Sequence, residues 1–157
     1  RTFTRVLDRL TISNGIDWSP DGKYCYLTDS GEQAIYRFDF REGQLREKEV
    51  FFSTIGTHQP GTPDGLCVDA AGNIWSAIWD GSKVIQLSRE AEILQEIHLP
   101  VSRPTSLTFG GSDLRDLYIS SASVELTPDQ LSNQSQAGDI FCCRVDIPGR
   151  PPNFFAG

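Results

Sequence analysis

Asn14 and Asp64 are the two side chains whose types and placement, taken together, suggest chemistry. Each stands just before a glycine at the head of an alternating strand, in two copies of one internal repeat. The first copy reads Asn14-Gly15-Ile16-Asp17-Trp18, a Pro20-Asp21-Gly22 turn, then Tyr24-Cys25-Tyr26-Leu27-Thr28-Asp29. The second reads Asp64-Gly65-Leu66-Cys67-Val68-Asp69, an Ala71-Gly72-Asn73 turn, then Ile74-Trp75-Ser76-Ala77-Ile78-Trp79. Residue type alone is equally served by an Asx turn opening each strand. Shared register is what points to a shared site: a carboxamide oxygen and a carboxylate facing each other across one axis would hold a hard cation.

The elements that must position them follow from the repeat. A weaker third copy starts at Thr105 and continues through Ser106-Leu107-Thr108-Phe109, Gly110-Gly111 and Leu117-Tyr118-Ile119-Ser120. Strand-rich repeats of this size, stepping by 50 and then 41 residues, describe an all-β fold, a β-propeller of four-stranded blades. About three blades fit in 157 residues, and a complete propeller needs at least four. Residues 1–157 therefore read as one partial propeller domain, the C-terminal half of a longer fold; the chain opens on Arg1 rather than Met.

Turn chemistry divides the blades. Residues 3–8 read as the last strand of a preceding blade. The first full blade has strands near 15–18, 23–28, 33–40 and 46–52, and a loop at 53–63 leads onward. The second has strands near 65–69, 73–79, 82–88 and 92–98, with Asp80-Gly81 as a two-residue hairpin turn. The third has strands near 105–109, 115–121 and 139–146 around an insert at 122–137. In that insert Thr127 caps a helical turn, Pro128-Asp129-Gln130-Leu131. The Pro148–Pro152 tail ends regular structure.

Composition excludes several classes of function. Formal net charge is −7, with acidic and basic residues mixed, so neither nucleic acid nor an anionic membrane surface is an expected partner. No run of ~18 apolar residues occurs, so no transmembrane helix is expected. Cys25, Cys67, Cys142 and Cys143 lack a CxxC spacing, and the vicinal pair points to opposite strand faces. Free buried thiols in a reducing, cytoplasmic setting are the expectation. His58, in the loop ahead of Asp64, is a further candidate at the channel mouth, whereas His98 reads as structural or exposed. Asp17, Asp29 and Asp69 read as turn and backbone acceptors. Trp18, Trp75 and Trp79 are expected to pack between blades, without forming a stacking platform.

Taken as a set, Ile12-Ser13-Asn14-Gly15-Ile16-Asp17-Trp18-Ser19, Tyr26-Leu27-Thr28-Asp29-Ser30 and Pro63-Asp64-Gly65-Leu66-Cys67-Val68-Asp69 resemble the senescence-marker-protein-30 family of regucalcin, gluconolactonases and related lactone hydrolases. Leu99-Pro100-Val101, Thr105-Ser106, Phe109-Gly110-Gly111, Ala137-Gly138-Asp139-Ile140-Phe141 and the closing Ala156-Gly157 fit as well. The resemblance covers nearly the whole chain but only the family's second half. It implies a six-bladed propeller with one divalent cation at the top of its channel, held by a glutamate, an asparagine and an aspartate. Asn14 matches the asparagine and Asp64 the aspartate; the glutamate, and the arginine and asparagine that hold the sugar lactone, have no counterpart here.

The implied chemistry is metal-dependent hydrolysis of a sugar lactone, with Asp64 as general base for the attacking water. Oxygen ligands favour Ca²⁺, with Mg²⁺, Mn²⁺ and Zn²⁺ as alternatives. Two other readings compete: a propeller esterase acting on other esters or organophosphates, and a non-catalytic calcium- or protein-binding module. Half a propeller also exposes apolar blade faces, so self-association or pairing with a missing N-terminal half is expected.

Overall fold

Period-two alternation between Gly- and Asp-marked turns folds this chain into three antiparallel sheets. The computed structural model describes residues 2–152, so the closing Ala156-Gly157 lies outside the described residues. The first sheet has the order β1 (Ser13–Trp18), β2 (Tyr24–Asp29), β3 (Ala34–Arg41), β4 (Gln44–Ser53). The second repeats it with β5 (Thr62–Val68), β6 (Ile74–Trp79), β7 (Lys83–Leu87) and β8 (Ile93–His98). The third has three strands, β9 (Pro104–Gly110), β10 (Asp116–Ser121) and β11 (Ile140–Arg144). β1 packs against β5 and β5 against β9, so the first strands of successive sheets lie side by side, as propeller blades require.

Apolar layers between the sheets hold the stack together. Tyr26 and Ile35 of the first sheet meet Leu66, Ile74, Ile78 and Ile85 of the second. Trp75, Ala77 and Val84 of the second meet Leu107, Leu117 and Ile119 of the third, and Trp75 stands edge-on to Phe109 at 6.2 Å. Fully burying a side chain of this size is worth about 1.5–3 kcal/mol, so these two layers are the main cohesive force between blades. The tail adds a strap on the far side. Pro148 O accepts from Ala70 N at 2.9 Å, Gly149 N donates to Leu114 O at 2.7 Å, and Arg150 Nη2 meets Asp17 Oδ1 at 2.5 Å.

Three sequence-based expectations do not hold. Residues 3–8 form no strand, because no neighbouring strand offers them a ladder; Leu7 and Leu10 instead lie on the Cys25-Leu27-Phe38 face of the first sheet. The Asp80-Gly81 turn is a three-residue loop, Asp80 to Ser82, with the left-handed backbone on Asp80 (φ 57°) and Ser82 (φ 55°) rather than on Gly81. Gly81 takes the tight position, since a Cβ there would meet Pro60 O at 2.8 Å. Finally, all four cysteines are free but not all are buried, and Cys142 faces solvent from the outer side of β11.

The expected helical turn extends to a short helix α1 (Pro128–Asn133), with Thr127 and Gln130 forming a reciprocal capping box. No helix among the described residues is long and apolar enough to cross a membrane.

Candidate metal and active site

Each first strand breaks its ladder at the repeat position. Register slips between Ser13↔Asp29 and Ile16↔Leu27 in the first sheet, and between Pro63↔Ile78 and Leu66↔Ser76 in the second. Asn14-Gly15 and Asp64-Gly65 are therefore bulged residues inside strands, not Asx turns ahead of them. A bulge re-aims the side chain it carries, which is how two strands of different sheets turn polar groups toward one point. The third sheet slips at the same place, between Ser120↔Ser106 and Ser121↔Pro104, but Thr105 there bonds to Ser120 at 2.8 Å and joins no partner in β5.

The glycines after Asn14 and Asp64 are present for room. A Cβ on Gly15 would stand 2.8 Å from the Gly65 carbonyl carbon and 2.9 Å from Asp64 O. On Gly65 it would stand 2.6 Å from Ser106 Cα. The first strands thus touch backbone to backbone at this level, closer than any side chain permits. The result is that Asn14 and Asp64 are side-by-side neighbours from adjacent blades rather than residues opposed across an axis.

Asn14 Nδ2 donates to Asp64 Oδ1 and lies 3.3 Å from Ser30 Oγ, whose hydroxyl donates to Pro63 O at 2.9 Å. Asp29 fixes the approach to Asn14: its carboxylate accepts from Thr11 N and Ile12 N at 2.8 Å each and from Gly31 N at 3.2 Å. Burial pushes the Asp29 carboxyl upward, but the N–H groups of Ile12, Thr11, Glu32 and Gly31 outweigh it and hold the group below its ordinary value. Asn14 and Asp64 open, with Ile12, Ser30, Thr62 and Trp79, onto a cavity of ≈ 390 Å³.

Asp64 is only 8% exposed, and among the described residues no Lys, Arg or His pairs with it. Burial pushes its carboxyl up to about 6, with the Asn14 amide pulling the other way. A buried carboxylate without a counter-charge is the donor a bound cation would neutralise. Asn14 can turn its amide to present oxygen instead of nitrogen. A carboxylate and a carboxamide oxygen suit a hard divalent ion. Among the described residues no group of three or more His, Cys, Asp or Glu side chains is placed to hold a metal ion.

Other candidates lie elsewhere. His58 is exposed in the loop before β5 and does not line the cavity. His98 is exposed, 3.6 Å from Glu96. Asp69 is fully buried and accepts from Ala71 N, Asn73 N and Nδ2, Trp75 Nε1 and Gln86 Nε2, which marks it as a structural hub of the second sheet. Asp17 accepts from Val68 N at 2.8 Å and pairs with Arg150. A second cavity of ≈ 290 Å³ lies between Tyr24, Tyr26, Arg37 and Arg89, but Arg37 is paired with Glu49 and Arg89 with Ala71 O. The residue that sequence reasoning missed is Trp79, which lines the Asp64 cavity and is not part of the apolar layers between the sheets.

Comparison with known proteins settles the relationship. The model of the SMP-30/Gluconolactonase/LRE-like region matches residues 1–123. The chain belongs to this family. It is 38% identical to rabbit (Oryctolagus cuniculus) regucalcin over 157 residues, covering 98% of this chain and 52% of that protein. It is 36% identical to 6-deoxy-6-sulfogluconolactonase of Pseudomonas putida, covering 93% of this chain and 50% of that one. A solved regucalcin from Agrobacterium tumefaciens, described as a calcium-binding protein, superposes with a TM-score of 0.87 at 28% identity, over 94% of this chain and 50% of that one. The chain thus spans about half the length of the curated relatives it matches.

Proposed function

We propose that this chain carries the cation-holding part of a divalent-metal-dependent hydrolase of sugar lactones, gluconolactonase-like in activity. The observation that carries the reading is the Asn14–Asp64 pair, brought together by two bulges and two space-making glycines over a cavity of ligand size. Family membership and a lactonase among the relatives support the substrate class. The cation, with Ca²⁺ first in line and Mg²⁺, Mn²⁺ or Zn²⁺ as alternatives, supplies Lewis acidity toward the lactone carbonyl.

The chain's own groups do the rest. Asn14 and Asp64 would hold the ion. The Asp64 oxygen turned away from Asn14 takes the proton of the attacking water. Ser30 and Thr62, on the cavity wall, offer hydroxyls to a polyhydroxylated ring. The four free cysteines support a reducing, cytoplasmic setting.

The chain further pairs with a second copy or with an N-terminal half that completes the ring of blades, six in the complete fold. Ile140 is 72% exposed and Tyr118 41% exposed on the outer face of the third sheet, where a next blade would stack. Sedimentation giving a compact monomer at all concentrations would contradict this.

Hydrolysis of a sugar lactone, followed with and without chelator, tests the activity. Turnover that needs a divalent ion and disappears in Asp64→Ala is the expected result. A folded, metal-loaded sample with no turnover would leave a cation- or protein-binding propeller as the better reading.

A further inference from the structure

We propose that Trp79 is the wall on which the ring of the substrate lies, and that Arg103 and Asp80 hold it there. This inference rests on the lactonase reading and specifies how the site tells a cyclic ester from an open-chain one. Trp79 ends β6 directly opposite Thr62 of β5. Antiparallel partners project to one face of a sheet, and the bulge at Asp64-Gly65 turns Asp64 toward the cavity that Thr62 also lines. The indole therefore reaches the cavity that the Asp64 carboxylate lines. In the first repeat the equivalent position is Asp29, which turns back to bind the Thr11 and Ile12 backbone. The second repeat places a flat apolar surface where the first has a backbone clamp.

That surface is fixed from behind. The Arg103 guanidinium lies 4.7 Å from the Trp79 ring centroid, its Nε meets Asp80 Oδ1 at 2.7 Å, and its Nη1 donates to Val124 O. The Arg103 side chain is 12% exposed, so a planar cation held at three places is committed to the indole rather than to solvent. A ring immobilised before ligand arrives loses little freedom on binding.

The chemistry of the cavity then assigns its occupant. Ile12 and Trp79 are its apolar lining, while Asn14, Ser30, Thr62 and Asp64 are polar. A sugar lactone has the same two aspects, a C–H face and a rim of hydroxyl and ester oxygens. Stacking the C–H face on the indole directs the rim to the polar groups and the carbonyl toward Asp64. An open-chain ester of equal polarity has no flat face to offer.

The test separates this inference from the reading beneath it. Binding of a six-membered sugar lactone to the cation-loaded chain is measured by saturation-transfer NMR, beside hydrolysis of that lactone and of a small acyclic ester. Trp79→Ala is expected to weaken lactone binding about tenfold and to raise KM similarly, with kcat within about twofold. Acyclic ester KM should be unmoved, Trp79→Phe should recover most of the affinity, and Arg103→Ala should lose about threefold. Lactone binding that depends on Trp79 without turnover would uphold the wall while removing the hydrolase reading. Turnover sensitive to Asp64→Ala but with equal lactone affinity in Trp79→Ala would overturn the wall alone. Absence of lactone binding in the unaltered chain would overturn both.

Discussion

Adding one methyl group at Gly15 should damage stability and cation affinity together. The Cβ of Gly15→Ala would sit 2.8 Å from the Gly65 carbonyl carbon and 2.9 Å from Asp64 O, with Leu66 N closer still. Comfortable contacts of a methyl carbon are about 3.5–4.0 Å, and the nearest obstacle, Leu66 N, lies at 2.2 Å, so β1 and β5 must separate by roughly 1 Å or more. All three obstacles are backbone, so no rotamer change relieves them. Overpacking of this kind costs about 1–3 kcal/mol. For a chain of this size that corresponds to a fall of about 4–8 °C in Tm at the middle of the range. The same separation moves Asn14 from Asp64, so divalent-cation affinity should drop about tenfold or more. Gly22→Ala is the control: it has φ +69° and no atom within 4 Å of a built Cβ, so it carries only the left-handed penalty of about 1 kcal/mol. Thermal melting and calorimetric titration with Ca²⁺ on both variants decide the matter. A Gly15→Ala protein that melts within about 1 °C of the parent and binds Ca²⁺ equally well would refute the argument that glycine is there for room.

Further outcomes follow from other parts of the fold. Asp69→Ala leaves the buried Trp75 and Gln86 donors without an acceptor, and at about 1–3 kcal/mol for each orphaned group the denaturant midpoint should fall by the equivalent of ~3 kcal/mol or more. Asp29 is held below its unfolded value of 3.8 in the folded chain, so its contribution is complete above about pH 4 and fades as pH falls through the folded value. Acid titration of stability should therefore be shallower in Asp29→Asn than in the parent. Thiol-reactive chromogenic reagent should label Cys142 rapidly, while Cys25, buried and with its thiol pushed up to about 12, should react only on unfolding. Equal labelling rates at the two would contradict the placement of β11.

How much of this was legible depends on what each residue pattern encodes. Asn14-Gly15 and Asp64-Gly65 at one repeat position marked the pair, because a repeat places equivalent residues on neighbouring strands. The bulge that aims them was not read, although a glycine within a strand pattern is its usual sign. Period-two alternation marks a strand but carries no count of residues on its partner. Residues 3–8 show the other limit: alternation specifies a pleated segment, and only a neighbour makes it a strand. Trp79 was misplaced for a related reason. Its strand position gives the face it occupies, while the end of the interblade layer depends on how the next sheet is stacked.

The central claim is that Asn14 and Asp64 act as one cation site, and a double-mutant cycle on Ca²⁺ binding tests it most directly. Calorimetry on the parent, Asn14→Ala, Asp64→Ala and the double variant gives the coupling between the two side chains. One shared site gives losses of about tenfold or more in each single variant and little further loss in the double, a coupling of about 1 kcal/mol or above. Losses that simply add, or Ca²⁺ binding untouched by either change, would contradict it.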